Sequence, residues 1–150
     1  MENLEQFLRS RREGLKPYEL YSNEQISAAE QRLGVSFPDD LKVVLRELGG
    51  GHYSNFESLD GEYGIVGETE RYRSLFNLPP EYIVLIEDGD VGMTLIHLPT
   101  GTTYWIGLYD YEALIGGRPL HNPYIYPRYG DLVVEQIKKY EQEKAGDNDE

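Results

Sequence analysis

Three histidines and one short acidic run are the side chains of this chain best suited to chemistry. Histidine can transfer protons near neutral pH or ligate a metal. However, His52, His97 and His121 are far apart in sequence, and none stands in a metal-binding spacing such as HExxH. His97 lies among apolar residues, which is typical of a structural histidine, and His52 follows three glycines, which is typical of a turn. The chain has no cysteine and therefore no thiolate nucleophile.

The acidic run Glu87–Asp90 is the nearest approach to a cation-binding loop. It lacks the further oxygen ligands and the terminal glutamate of an EF-hand, so it predicts an acidic turn. The glycines of Gly49–Gly51 lack the lysine of a phosphate loop and end a helical pattern instead of opening one. We therefore predict no metal, no cofactor and no enzymatic activity. A carboxylate pair arranged for acid–base catalysis stays open, because carboxylates are plentiful.

Acidic and aromatic residues are interleaved between Gly51 and Thr100. This stretch carries nine acidic residues against two basic ones, a net charge of −7. Aromatic side chains offer large, stiff contact areas that suit protein interfaces, and acids around them attract a basic partner. The residues that we predict to contact a partner are Tyr53, Phe56, Glu57, Asp60, Glu62, Glu68, Glu70, Asp88, Asp90 and Trp105. At any single position the alternative stays open that the aromatic ring fills the core and the acid is ordinary surface.

The net charge of the 150-residue chain, −13, points in the same direction. It argues against direct nucleic-acid binding, because phosphates are bound chiefly by Lys and Arg. It favours a basic partner, whose approach a negative field accelerates, although an acidic surface also serves solubility alone. No apolar run approaches the ~20 residues of a membrane span, and the N-terminal residues are charged. We therefore expect a soluble, cytoplasmic protein with no membrane contact.

The elements that must position these side chains begin with two consecutive helices between Ser22 and Gly51. Ser22 is suited to cap the first helix, and Gly34 is suited to end it because glycine adopts the left-handed conformation most easily. The second helix shows the clearest amphipathic spacing of the chain. Its apolar positions are Leu41, Val44, Leu45 and Leu48.

Further helices and a small sheet complete the predicted fold. We predict a helix over residues 3–13 whose arginines face solvent, and a short helix over 68–77 with Tyr72, Leu75 and Phe76 inward. Three strands over 82–109 form an antiparallel meander, and a connection over 110–130 leads to a last helix capped by Asp131. The predicted fold class is α+β, an antiparallel-rich sheet with helices packed on it. Residues 141–150 are expected to fray as an acidic tail.

The helical pair also carries a resemblance to a known family. The order Leu33-Gly34, then Val35-x-Phe37-Pro38-x-Asp40-Leu41, then an apolar helix ending in glycines, resembles the opening motif of the SUKH superfamily. That superfamily contains bacterial immunity proteins and the yeast regulator of cell-wall assembly. Members usually carry tyrosine where Leu41 stands. The resemblance implies one SUKH-like domain over residues 1–140, with the residues Thr103–Ile106 in the place of an aromatic-rich strand.

The resemblance supplies the functional hypothesis. It implies an immunity protein that neutralises a cognate toxin domain, such as a nuclease, by covering a basic active site with the acidic, Tyr-rich face between His52 and Asp90. Two alternatives stay open: a regulatory scaffold for several partners, like the fungal relatives, and a small hydrolase that uses carboxylates with His52. The oligomeric state also stays open, because Tyr-rich segments suit a homodimer equally well.

Overall fold

A computed structural model describes residues 3–17, 19–89 and 92–148. In chain order, its elements are α1 Leu4–Arg9, α2 Arg12–Leu15, α3 Asn23–Leu33, α4 Asp39–Glu47, α5 Ile65–Phe76, β1 Tyr82–Asp88, β2 Gly92–His97, β3 Thr103–Ile106, a short 3-10 helix Leu108–Asp110, α6 Tyr111–Ile115, β4 Tyr124–Tyr126 and α7 Tyr129–Asn148. Helices cover about half of the chain and strands about one sixth. The predicted α+β class is confirmed.

The predicted helical pair is present as α3 and α4. The Ser22 hydroxyl accepts from the Gln25 N–H at 3.2 Å, and the Gln25 side chain accepts from the Ser22 N–H at 2.8 Å, which forms a capping box. Gly34 ends α3 at φ 69°, and Gly49 follows α4 at φ 77°, both left-handed. The apolar face of α4 is completely buried through Leu41, Val44 and Leu45. Local sequence signals therefore sufficed to predict this part of the fold.

The sheet is antiparallel, with strands in the order β1-β2-β3-β4. Its two faces enter two different apolar clusters. Ile83 and Ile96 are paired across β1 and β2 and pack with the helical layer of α1, α3, α4 and α7. Val84 and Leu95, the next pair, pack instead with Tyr72, which lies on α5. Burial on both faces explains the unbroken apolar run of β1.

Helix α5 covers the outer edge of β1. The Thr69 hydroxyl accepts from the Val84 N–H at 2.9 Å and donates to the Val84 carbonyl at 3.3 Å. A side chain thus satisfies backbone groups that an edge strand leaves unpaired. Helix α5 also begins three residues before the predicted start. Tyr72 is buried as predicted, but Leu75 and Phe76 are 64% and 50% exposed, so their predicted inward position was wrong.

The N-terminal prediction needs a second correction. Two short helices, α1 and α2, replace the predicted helix over residues 3–13, and the backbone leaves the helical conformation at Arg11, with φ −111° and ψ 1°. The Ser10 hydroxyl donates to the Phe7 carbonyl at 3.0 Å just before this break. Arg9 and Arg12 face solvent as predicted, with 61% and 43% of their side chains exposed, and each also pairs with the same buried acid. Arg9 and Arg12 donate to the two oxygens of Glu47 at 2.9 and 2.8 Å, which joins both helices to α4.

Helix α7 starts in the core and continues further than predicted. Tyr129 is fully buried, and its hydroxyl donates to the Ser54 carbonyl at 2.5 Å. The next residue, Gly130, donates its N–H to an Asp40 oxygen at 2.6 Å. Asp131 therefore lies in the first turn and not at the predicted cap position. The helix runs to Asn148 where fraying was expected, and Glu141 pairs with Arg11 at 2.9 Å.

Two carboxylates are buried in opposite electrostatic situations. Glu47 is 7% exposed, and its hydrogen bond and ion pair with Arg9 hold its pKa below the ordinary value. Glu68 is 1% exposed, and burial raises its pKa despite the attraction of Arg71. One Arg71 nitrogen lies 2.9 Å from each Glu68 oxygen, but only one oxygen is aligned for a hydrogen bond. The fold therefore favours the charge of Glu47 and disfavours the charge of Glu68.

Tyr129→Phe should lower the free energy of unfolding by about 1–3 kcal/mol, because it leaves the buried Ser54 carbonyl without its donor. Urea unfolding followed by circular dichroism measures the change. Tyr124→Phe is the matched control: this ring is 58% exposed, so its effect should stay within about 0.5 kcal/mol. Equal losses in the two variants would contradict the assigned role of the hydroxyl.

Glu47→Gln should destabilise the protein at pH 7 by about 1 kcal/mol or more, whereas Glu68→Gln should leave it as stable or make it more stable. The folded pKa of Glu47 is lowered, so its stabilisation is complete above the ordinary value of 4.5 and is lost as the pH falls below it. The folded pKa of Glu68 is raised, so its cost is present at neutral pH and is relieved as the pH falls towards 4.5.

Urea midpoints of the wild type and both variants, measured from pH 7 to pH 3, test these signs. As the pH falls, the urea midpoint of Glu47→Gln should rise towards that of the wild type relative to its position at pH 7. The midpoint of Glu68→Gln should approach the wild-type midpoint from an equal or higher value. A Glu68→Gln protein clearly less stable than the wild type at pH 7 would show that the ion pair with Arg71 outweighs burial.

Candidate partner-binding surface

The structure separates the predicted contact residues into surface and core. Phe56 and Glu68 are each 1% exposed, so the structure corrects their predicted place on a contact surface. Phe56 forms a backbone bridge with Gly51 and points into the main core. Asp90 lies outside the described residues. For the other predicted residues, contact with a partner stays a prediction.

The exposed acids concentrate in the loop before α5. Glu57, Asp60 and Glu62 are exposed there, and none of them forms an ion pair with any other described residue. The loop is held by the Tyr21 hydroxyl, which accepts from the Leu59 N–H at 3.2 Å. Asp60 lies close enough to raise the pKa of Tyr21, after the larger effect of burial. We call residues 57–62 the acidic loop.

Other predicted acids are neutralised within the chain. Arg32 binds the two oxygens of Glu70 at 3.1 and 2.8 Å. Arg71 joins Glu68 to Glu87, which it reaches at 3.4 Å. After the larger effect of burial, both Glu87 and Glu57 raise the pKa of Glu68, so each of these acids lies within electrostatic reach of Glu68. The exposed Asp88 then leads to the β1–β2 turn.

Beyond that turn lies an aromatic groove of about 550 Å³. Strand pairing builds it, since Trp105 on β3 stands opposite Tyr124 on β4, with ring centres 5.4 Å apart. Its other large side chains are those of Tyr109, His121, Tyr126 and Lys139. Tyr109 is 73% exposed, and Trp105 is half-buried. Exposed aromatic rings side by side with a few polar groups are typical of a binding site.

His121 is held at the groove by a buried carboxylate. Asp110 is fully buried and accepts from the His121 N–H at 2.8 Å, and its other oxygen lies 2.9 Å from the His121 Nδ1. These hydrogen bonds hold the pKa of Asp110 below its ordinary value. The imidazole itself is 75% exposed, so its other nitrogen faces the groove or solvent. Sequence reasoning missed this pair, because eleven residues separate its members and no motif connects them.

This arrangement can form hydrogen bonds to a ligand, and His52, the histidine of the hydrolase alternative, is not among the described residues that line it. The side chains that line the groove in the described part of the chain include no serine, threonine or cysteine. His52 contacts the ring of Tyr53 with centres 5.4 Å apart, while Asp60 lies near Tyr21. Within the described ranges, no group of three His, Asp or Glu side chains is placed to hold a metal ion.

Two further regions of the surface have structural explanations. Tyr53 is half-buried against the ring of Tyr140 on α7, with centres 5.4 Å apart. A cavity of about 690 Å³ lies between α1 and the start of α7, but its wall includes Asp40 on α4 and Gly130 on α7, whose hydrogen bond docks α7 onto α4. Across residues 3–17, 19–89 and 92–148, no helix combines the length and the apolar character that crossing a bilayer requires.

Comparison with known proteins extends the resemblance seen in the motif. A search of curated proteins finds no match to this chain. A protein-family model, SUKH_5, described as SMI1-KNR4 cell-wall, matches residues 1–113. The matched region contains α1 to α5, β1 to β3 and the start of α6, and it includes Trp105, Tyr109 and Asp110. Because the match covers three quarters of the 150 residues, the chain belongs to the SUKH superfamily, as its helical motif predicted.

Proposed function

We propose that this protein is an immunity protein that binds a cognate toxin domain in the cytoplasm of the cell that makes both. Family membership is consistent with such a role. The observation that carries the proposal is the acidic loop, where Glu57, Asp60 and Glu62 stay unpaired among the described residues while neighbouring acids are neutralised. Tyr63, 58% exposed, stands directly beside them.

The proposed mechanism is occlusion guided by charge. A cluster of exposed carboxylates on a chain of net charge −13 attracts a basic surface and accelerates its approach. The active site of a nuclease is such a surface, because it must bind phosphates. Once docked, the acidic loop and Tyr63 would cover that site and keep the substrate out.

The fold supports binding at this surface because the acidic loop is held at several points. Leu59 is completely buried, and its N–H donates to Tyr21. The N–H groups of Ile65 and Val66, at the start of α5, donate to the carbonyls of Ser58 and Leu59 at 2.9 and 3.0 Å. A loop held in this way loses little conformational entropy on binding, which preserves affinity.

The triple variant Glu57→Gln, Asp60→Asn, Glu62→Gln should bind the toxin domain with an association rate at least about tenfold lower at low salt. Stopped-flow mixing with a toxin domain identified in a gene next to this one measures the rate. The difference should shrink at high salt, because ions screen exposed charges beyond a Debye length of about 10 Å or less. Cells that produce the toxin domain with the variant should be less well protected than with the wild type.

The matched control is Glu13→Gln, Glu112→Gln, Glu143→Gln, which removes three exposed charges elsewhere. An equal loss of rate in this control would show that only total charge matters, against a specific role of the acidic loop. If the wild-type protein failed to protect cells from that toxin domain, the proposed function would be wrong.

A further inference from the structure

We propose that the aromatic groove beside β4 binds an apolar or aromatic side chain of a protein partner that carries a carboxylate next to it, and that Lys139 pairs with this carboxylate. The identity of the partner as the toxin rests on the proposed function. The chemistry that we assign to the groove is independent of the proposed function, because it follows from the groove residues alone.

The walls of the groove are suited to a flat or branched apolar group. Trp105 and Tyr124 meet at an angle of 40°, and Tyr109 lies with its ring 5.7 Å from that of His121. Gly107 makes this possible, because a Cβ there would lie 2.5 Å from the Tyr109 ring. Aromatic rings exposed in a concave site are the usual anchors of protein interfaces, since burying them removes much apolar area from water.

The charge inside the groove is opposite to that of the chain as a whole. Lys139 forms no ion pair with any described residue. The acid one turn earlier on the same helix, Glu135, is occupied by a short hydrogen bond from the Tyr126 hydroxyl. Asp110 is buried behind His121 and uses both oxygens on it, and the nearby Asp88 has its own interaction within the chain. The groove therefore offers an ammonium group that no described residue pairs with, which favours a carboxylate in the occupant over a basic group.

The edge of β4 argues for side-chain docking and against the addition of a partner strand. Pro123 and Pro127 flank this strand of three residues. Proline has no N–H to donate, so an added strand from a partner or from a second copy could extend over few hydrogen bonds. Tyr124 and Ile125 are nevertheless 58% and 52% exposed. Their side chains therefore offer more contact than the short strand edge does.

Two small probes test the proposal: 3-phenylpropionate and phenethylamine, which share a phenylethyl group and carry end groups of opposite charge. Trp105 is the only tryptophan of the chain, so its fluorescence reports occupation of the groove. The amide signals of Gly89, Gly92 and Gly107, which line the groove, locate the probe in NMR spectra of the ¹⁵N-labelled protein. We expect saturable binding of 3-phenylpropionate at these signals, about fivefold tighter than that of phenethylamine.

Lys139→Glu should reverse the preference between the two probes. Lys138→Glu is the matched control, since it makes the same change on the same helix outside the groove, and it should leave the preference unchanged. Equal or tighter binding of phenethylamine to the wild type would overturn the proposal. So would signal changes that avoid the three glycines, or no saturable change with 3-phenylpropionate.

The outcomes separate this inference from the proposed function. If cells are protected from the toxin but the probes do not bind the groove, the groove proposal fails and the immunity function stands. If the probes bind as expected but the protein protects against no toxin, the chemistry of the groove stands and its proposed partner is wrong.

Discussion

Most of the surface that we assign to function is positioned by one contact. Helix α7 docks both onto α4 and onto the segment before the acidic loop. Two hydrogen bonds define this contact, one from the buried Tyr129 hydroxyl to Ser54 and one from the Gly130 N–H to Asp40. Through them the C-terminal helix is held against elements that precede it by 75 and 90 residues. This start of α7 places Lys139 in the groove wall and Glu135 beside it, where Glu135 accepts from the Tyr126 hydroxyl. A shift of its start would remove one wall of the groove.

Ion pairs within the fold determine where on the surface the net negative charge is exposed. A net charge of −13 suggests an evenly acidic surface, but arginines on α1, α2, α3 and α5 neutralise particular carboxylates. Glu47 and Glu70 are used to join helices, so neither acts as a free charge. Among the described residues, no ion pair compensates the carboxylates of the acidic loop or the lysine of the groove near α7. The molecule therefore has two surfaces of different electrostatic character, and composition alone describes only their sum.

The sequence predicted those parts of the fold that depend on near neighbours. Caps, glycine stops and helical spacing defined α3 and α4, and turn residues between β-branched runs defined β1 to β3. Strand β4 was missed because its three residues become a strand only by pairing with β3. The predicted inward position of Phe76 was wrong because nothing local indicates where the neighbouring elements leave α5 uncovered.

The candidate site was harder to predict from near neighbours in the sequence than the fold was. Trp105 was identified from the sequence, and the acidic loop was identified as a region, yet Phe56 and Glu68 could not be distinguished from their exposed neighbours. In a loop, the order of acidic and aromatic residues does not indicate which side chains point inward, because loops have no fixed side-chain period. The His121–Asp110 pair and the position of Lys139 depend on contacts between distant segments. Such contacts are visible only in the folded chain.

On our proposals the two surfaces would act on different rate constants. Exposed, unpaired charges act over several ångströms before contact and mainly change the rate of association. A groove that buries an aromatic anchor acts only after contact and mainly slows dissociation. A partner that met the acidic loop alone would bind quickly and leave quickly, as many basic proteins would. Selectivity for one toxin would therefore lie in the groove. A partner with a basic surface alone would not fill the groove, because the occupant must also present an apolar projection that bears a carboxylate.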